Sequence, residues 1–156
     1  MTIFLTIFAG VVTFVIGQII LRLYIEPIQS FRSLIGEISA ALINCGILYK
    51  DSNEMKPGTF NDASIELRAL ASKLESSVYL IPSYKKMSKF FKLPNEAEVF
   101  EASTELVEIS HSLDERYNSI RSIIATSNQN KAGNIRSLLK IYVPDSENII
   151  HEPKNM

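Results

Sequence analysis

Residues 3–21 read IFLTIFAGVVTFVIGQIIL, a run without a single charged side chain. At about 1.5 Å of rise per residue, an α-helix of this length crosses the roughly 30 Å hydrocarbon core of a bilayer. Arg22 follows directly, and a long arginine stem lets the charge reach the headgroup layer. The run therefore predicts one transmembrane helix with Arg22 at the membrane interface.

Two other interpretations of this segment compete with the anchor. A cleaved signal peptide has a basic start, an apolar core of roughly 7–15 residues and a small-residue cleavage site. Here the apolar run is longer, nothing basic precedes it, and the following LYIEP at 23–27 is a poor cleavage site. A buried core helix rarely stays uncharged over such a length. The membrane anchor is favoured over both.

The flanking charges predict the orientation of the anchor. Arg22 and Arg32 follow the span, whereas no basic side chain precedes it. The positive-inside rule then places the amino end outside and the remainder in the cytosol. The lone Cys45 agrees, because one cysteine cannot build the disulfide framework of a small exported domain.

Composition limits the remaining function classes. Sixteen basic and seventeen acidic residues give a net charge of −1, so no global field recruits nucleic acid or an anionic surface. The chain after the span is long enough for one domain with a modest core. We expect a transmembrane anchor over 1–26, a cytosolic helical bundle over 27–143 and a polar tail over 144–156.

Apolar residues after the span recur at helical spacing. Pro27 predicts a kink or break, because proline lacks the amide that would bond to Leu23. A second helix then follows, with a loop over 51–59 and a third helix that begins near Asn61 or Asp62 and stops at Pro82. The predicted buried faces are Phe31, Ile35, Ile38, Leu42, Cys45 and Tyr49 on the second helix, and Leu67, Leu70, Ala71, Leu74, Val78 and Ile81 on the third.

The second half of the chain continues the helical pattern. A short basic and aromatic element covers 82–93, and Asn95 with Glu98 reads as a capping box. The helix it opens is predicted to run for about thirty residues, before an interruption at 128–134 and a short last helix near 135–142. Its stripe is Val99, Ala102, Leu106, Ile109, Leu113, Tyr117, Ile120 and Ile124. The predicted fold class is all-α: an N-terminal transmembrane helix followed by a cytosolic antiparallel helical bundle.

The small residues of the anchor share one helical face. Thr6, Gly10, Thr13 and Gly17 are spaced by four, three and four positions, and Gln18 lies beside them. Small residues in a spanning helix matter chiefly where another backbone approaches closely. This face predicts a homo-oligomer in the membrane lipid, with a polar-lined pore as a further alternative. The alternative to association is that this face packs on nothing, since Gly and Thr are ordinary in spanning helices. The alternative to a pore is that the polar atoms bond between helices or to carbonyls of their own helix and leave the span closed.

Four lysines interleaved with aromatic residues form the second candidate surface: Lys85, Lys86, Lys89 and Lys92. Such a segment can contact lipid headgroups, a cytosolic protein partner or a nucleic-acid backbone. Nucleic acid is not favoured, because no RNA-binding motif accompanies the lysines. The simpler interpretation, which we prefer, is a solvated lysine face on a short helix whose Tyr84, Met87 and Phe91 enter the core.

No motif in the sequence supports catalysis. The acidic run in the fourth main helix has no histidine at ligand spacing, and His111 and His151 lack metal-binding neighbours in sequence. We therefore expect a non-enzyme with no catalytic residue, metal or cofactor. A divergent tethered nuclease is the competing hypothesis, with His111, Arg116, Asn118 and Arg121 as its polar cluster.

Several short segments carry a resemblance to known proteins: Gly17-Gln18, residues 26–29 and 35–38, Arg32, Ile81-Pro82 and Leu93-Pro94. The chain resembles small bacterial single-pass membrane proteins with a cytosolic helical domain. Its architecture is similar to the HEPN-like membrane accessory protein of type VI-B CRISPR systems. The resemblance implies a bacterial inner-membrane assembly that acts in antiviral defence by altering the membrane. HEPN nucleases carry an arginine, then four to six residues, then a histidine, and no arginine stands at that distance before His111 or His151.

Overall fold

A computed structural model describes residues 2–50, 59–113 and 121–141. The described chain is helical throughout and contains no strand, which confirms the all-α class. Its elements are α1 Thr2–Ile20, a π-helical turn Leu21–Ile25, α2 Glu26–Lys50, α3 Thr59–Leu80, α4 Tyr84–Phe91, α5 Glu96–Ser112 and α6 Arg121–Leu138. The predicted loop over 51–59 lies outside the described residues except for Thr59, which is the first residue of α3, and the polar tail over 144–156 lies outside them entirely.

The chain does not break at Pro27. One continuous helix runs from Thr2 to Gly46, and it is long and apolar enough to cross a membrane. The helix accommodates Pro27 through the π-helical turn before it, in which the Glu26 amide donates to the Leu21 carbonyl five residues back. A π turn inserts one extra residue into the helical ladder. The register therefore changes just before the proline, and the helix continues through it.

The core lies between α2, α3, α5 and α6, with α4 against one end. On α2 the predicted face is buried from Phe31 to Cys45, except for Ile35, which packs at the core edge. Tyr49 lies beyond the described side chains. Every predicted core residue of α3 is buried, although α3 begins at Thr59, slightly before the predicted start. These faces confirm the helical periodicity that the sequence indicated.

The predicted helix of about thirty residues after Asn95 is wrong. Its capping box is present, but α5 ends at Ser112 with Leu113 as the C-cap residue. The next helix, α6, then packs back along α5: Asn128 bonds to Ser112, and Lys131 lies 2.7 Å from Glu108. Folding back buries apolar surface of α5 against α6 in addition to its packing on α3, and this burial is favourable.

The predicted interruption at 128–134 is wrong as well. These residues lie inside α6, where Asn128 is buried and Gly133 sits in open space. The predicted last helix is the carboxyl-terminal part of α6 and the turn after it, and its Ile135 and Leu139 enter the core. Gly and Asn lower helix propensity only modestly, and tertiary packing overrides that preference here.

The reversal between α5 and α6 is testable by chemical cross-linking. Glu105→Cys with Asn134→Cys, in a Cys45→Ala background, should be joined by a short bis-maleimide reagent, because the two native side chains are hydrogen-bonded. In one straight helix their Cα atoms would stand about 44 Å apart, far beyond the reach of such a reagent. The measurement is a mobility shift on denaturing gels. Glu96→Cys with Asn134→Cys is the control that should not be cross-linked; equal cross-linking of both pairs would contradict the packing.

Candidate association and headgroup-contact surfaces

The whole surface of α1 is exposed in the monomer. Phe4, Phe14 and Ile16 each keep more than half of their side-chain surface open. A continuous apolar surface of this kind is not stable in water, so it requires an apolar environment or a partner. The predicted face of small residues is present on this helix, and a Cβ added at Gly10 or Gly17 would meet nothing within 4 Å.

The threonines on this face make hydrogen bonds within their own helix. Thr6 Oγ1 donates to the Thr2 carbonyl at 3.0 Å, and Thr13 Oγ1 donates to the Ala9 carbonyl at 2.9 Å. Such bonds to the residue four back satisfy a hydroxyl without any external partner. The face therefore does not need water or a neighbouring amide for its threonines, as the competing interpretation of the sequence held. Gln18 is exposed beside it.

Helix α4 is held at the end of α2 that adjoins α1. The Arg32 guanidinium donates to the Phe91 carbonyl at 3.1 Å. At the other end of α4, Tyr84 packs edge-to-face on Phe31, with ring centroids 5.9 Å apart. The Tyr84 hydroxyl also donates to the Pro94 carbonyl at 2.9 Å. These contacts tie both ends of the short helix to the first turns of α2 and to the start of α5.

Left-handed residues bound α4 on both sides. Ser83 precedes it with φ of 54°, and Lys92 follows it with φ of 55°. The Leu93 amide then donates to the Ser88 carbonyl at 2.8 Å, which satisfies an acceptor at the helix end. A non-glycine residue in this conformation costs on the order of 1–2 kcal/mol and persists where the surroundings impose it. The orientation of α4 is therefore set by its turns.

The two faces of α4 differ sharply. Tyr84 and Ser88 are buried, and Met87 and Phe91 pack against the core, as the preferred interpretation of the lysine segment expected. All four predicted lysines are exposed. Phe90, with 79% of its surface exposed, shares this outer face. Phe90 was not among the residues predicted for this surface, although its position on the helix, opposite Tyr84 and Ser88, indicates it.

A groove of about 980 Å³ separates α4 from the start of α5. The α4 side is basic, and Glu96 and Glu98 stand on the α5 side. Lys140, which follows α6, reaches into this region: its Nζ donates to the Leu93 carbonyl at 3.2 Å and lies 3.9 Å from Glu98. Lys140 therefore partly neutralises the negative charge on the α5 side of the groove, whereas the α4 side stays positively charged.

Two buried titratable groups, the Cys45 thiol and the Tyr84 phenol, have raised pKa values and stay protonated near neutral pH. Burial, with a smaller contribution from Glu66, raises the pKa of the Cys45 thiol to about 11. Burial also raises the pKa of the Tyr84 phenol, and the carboxylates of Glu98 and Glu96 add to that rise. Because only the thiolate is a good nucleophile or metal ligand, Cys45 acts as the small core residue that the sequence suggested.

The polar cluster of the nuclease hypothesis falls largely outside the described residues. Arg116 and Asn118 lie there, and the side chain of Arg121 is not described. The structure places Arg68 of α3 beside His111 instead, with Nη2 3.4 Å from Nδ1, and Arg68 Nε donates to Ser110 Oγ at 3.1 Å. Within the described ranges, no group of three or more metal-binding side chains comes together.

Comparison with protein-family models, curated proteins and solved structures finds no match to this chain. Function is therefore inferred from the geometry of α1 and α4.

The anchoring role of Tyr84 predicts a pH dependence of stability. A phenol with a raised folded-state pKa contributes stability that is fully present below the unfolded value of about 10 and is lost as the pH rises through the folded value. Tyr84→Phe should cost about 1 kcal/mol at pH 7, through the bond to Pro94, and should lose less stability above pH 10 than the wild type. Denaturant unfolding followed by circular dichroism measures both effects.

Tyr79→Phe is the matched control for this experiment, because the Tyr79 side chain is 76% exposed. It should unfold like the wild type at pH 7. A Tyr84→Phe variant with wild-type stability at both pH values would contradict the anchoring role of Tyr84.

Proposed function

We propose that this chain is a non-enzymatic, self-associating single-pass membrane protein. In this proposal α1 crosses the bilayer, and α2 to α6 form an antiparallel bundle in the bacterial cytosol. The observation that carries it is the exposed apolar surface of α1 on a helix that continues without interruption into the packed domain. The bilayer supplies the apolar surroundings that the domain does not offer to α1.

The geometry also bears on the two other interpretations of α1. A core helix of a soluble domain would bury one face, whereas no residue of α1 is buried here. Signal-peptide cleavage near residue 25 would cut a continuous helix whose next turns, at Ile28 and Phe31, are already in the core. Both points support an anchor that stays attached to its domain.

Self-association is proposed through the face of Thr6, Gly10, Thr13 and Gly17. In lipid, spanning helices associate by close van der Waals packing, which small residues permit. The threonine hydroxyls are satisfied internally, so they favour a dry contact between helices over a water-lined opening. Cyclic closure would arrange the cytosolic bundles around the same axis. The membrane-perturbing role in antiviral defence implied by the resemblance would act through such an assembly.

Replacing either glycine with leucine should weaken the oligomer. The monomer has room for a side chain at Gly10 and Gly17, so any loss must arise between chains, on the order of 1–2 kcal/mol of association free energy. Cross-linking in mild detergent measures the shift toward monomer. Val11→Leu and Val15→Leu, on the opposite side of the helix, are the controls. A wild-type protein that is strictly monomeric, or equal effects at all four positions, would overturn the association face.

The proposed topology can be tested with a reporter fused after Met156. A reporter that functions only in the cytosol should be active, because Arg22 and Arg32 hold the following domain on that side. Activity of a periplasm-specific reporter at the same position would reverse the assignment. A soluble fusion released from membranes by carbonate would contradict the anchor itself.

Two alternatives remain as outcomes of these experiments. A monomeric but membrane-bound protein would favour a passive tether that recruits a cytosolic protein. The second candidate, a divergent nuclease, is favoured only by the contact between Arg68 and His111. Ribonuclease activity that is lost in His111→Ala while assembly persists would replace the non-enzymatic proposal.

A further inference from the structure

The outer face of α4 joins positive charge to an exposed aromatic ring. Lys85, Lys86, Lys89 and Lys92 are all exposed, and Phe90 stands among them. Within the described residues, none of these four lysines has a carboxylate at ion-pair distance, whereas Lys131 and Lys140 do. The charge on this face is therefore available to an external anion.

Exposed apolar side chains concentrate at the same end of the domain. Among the described residues beyond 25, the large hydrophobic side chains that stay exposed are Ile43, Ile65, Tyr79, Leu80 and Phe90. Tyr79 and Leu80 end α3, and Phe90 follows on α4. Exposed apolar side chains accompanied by lysines are typical of surfaces that lie in the headgroup region of a bilayer.

The fold places this face near the exit of the anchor. Arg32 holds the end of α4 through the Phe91 carbonyl, and Arg32 stands ten residues beyond Arg22 on one helix. That is a distance of about 15 Å along the axis. It is comparable with a headgroup layer of about 5–7 Å plus a Debye length of about 8 Å. Lysines at this height lie within electrostatic reach of lipid phosphates.

The geometry points to α4 as an element that docks on anionic phospholipid headgroups in the leaflet from which α2 emerges. The four lysines bind the lipid phosphates. The tilt of about 20° that is usual for a spanning helix brings α4 closer to the bilayer than its distance along the helix axis, so that Phe90 reaches the interface between headgroups and acyl chains. This inference rests on the proposed membrane anchor, because it requires α1 to set the height of α4. Lipid is favoured over nucleic acid since Phe90, Tyr79 and Leu80 suit an apolar boundary and a phosphate backbone alone does not use them.

The chain contains no tryptophan, so single-tryptophan variants of the full chain provide a clean test. The variants are Phe90→Trp on α4, Ile65→Trp as an exposed control near the opposite end of α3, and Phe14→Trp as a reporter of anchor insertion. Each is reconstituted in nanodiscs of phosphatidylcholine, with or without phosphatidylglycerol, and with brominated acyl chains as quenchers. Emission wavelength and quenching are measured at low and high salt.

The fluorescence emission of the Phe90→Trp variant should shift to shorter wavelength and be quenched only when phosphatidylglycerol is present. High salt should reverse both changes. Ile65→Trp should respond in neither lipid, and Phe14→Trp should be quenched in both. Adding Lys85→Gln, Lys86→Gln, Lys89→Gln and Lys92→Gln to Phe90→Trp should abolish its response. Lys73→Gln, an exposed lysine on α3, should leave that response intact.

Each failure has a separate meaning. Loss of the Phe90→Trp response with Phe14→Trp still quenched would overturn the headgroup contact and leave the anchor standing. An unquenched Phe14→Trp in both lipids would overturn the anchor and this inference together. Equal quenching of Phe90→Trp in phosphatidylcholine alone would overturn the recognition of anionic lipid. A response to single-stranded RNA but not to phosphatidylglycerol would assign the lysines to nucleic acid.

Discussion

Helix continuity from Thr2 to Gly46 is the constraint on which the rest of the structure depends. The first part of this helix exposes apolar side chains on every side, and the later part buries one face against α3 and α6. Because the backbone does not break between them, the surroundings of α1 determine where the packed domain stands. The π-helical turn makes this possible, since the Glu26 amide finds its acceptor at Leu21 immediately before Pro27 removes a donor.

The position of α4 depends mainly on bonds to backbone carbonyls. Arg32 and Tyr84 donate to the carbonyls of Phe91 and Pro94, and left-handed residues bound the helix on both sides. Lys92 takes part through its backbone conformation, whereas the side chains of the four outer-face lysines take no part in these contacts. The lysines are consequently held in place by the fold while their charges stay free, a separation that suits a binding surface better than a structural one.

The packing of α3 on α5 relies on small polar side chains inside the core. Ser64 donates to the Ser110 carbonyl at 2.9 Å, and Ser103 donates to Glu75 at 2.7 Å. Buried hydroxyls cost stability unless they are bonded, and these bonds join two helices that are distant in sequence. They fix the antiparallel pairing of the two helices, which apolar contacts alone specify less sharply.

The sequence by itself determined the apolar α1, the buried face of α3 and the capping box of α5, because local periodicity and end residues encode them. It did not determine what each face packs against. The stripe from Val99 to Ile124 fits one long helix and a helical hairpin equally well. Only the packing of α6 against α5 selects the hairpin. The contact of Arg68 with His111 and the exposure of Phe90 were decided in the same way. Both depend on how helices that are distant in sequence pack together. The free energy of that packing cannot be read from any local stretch of the sequence.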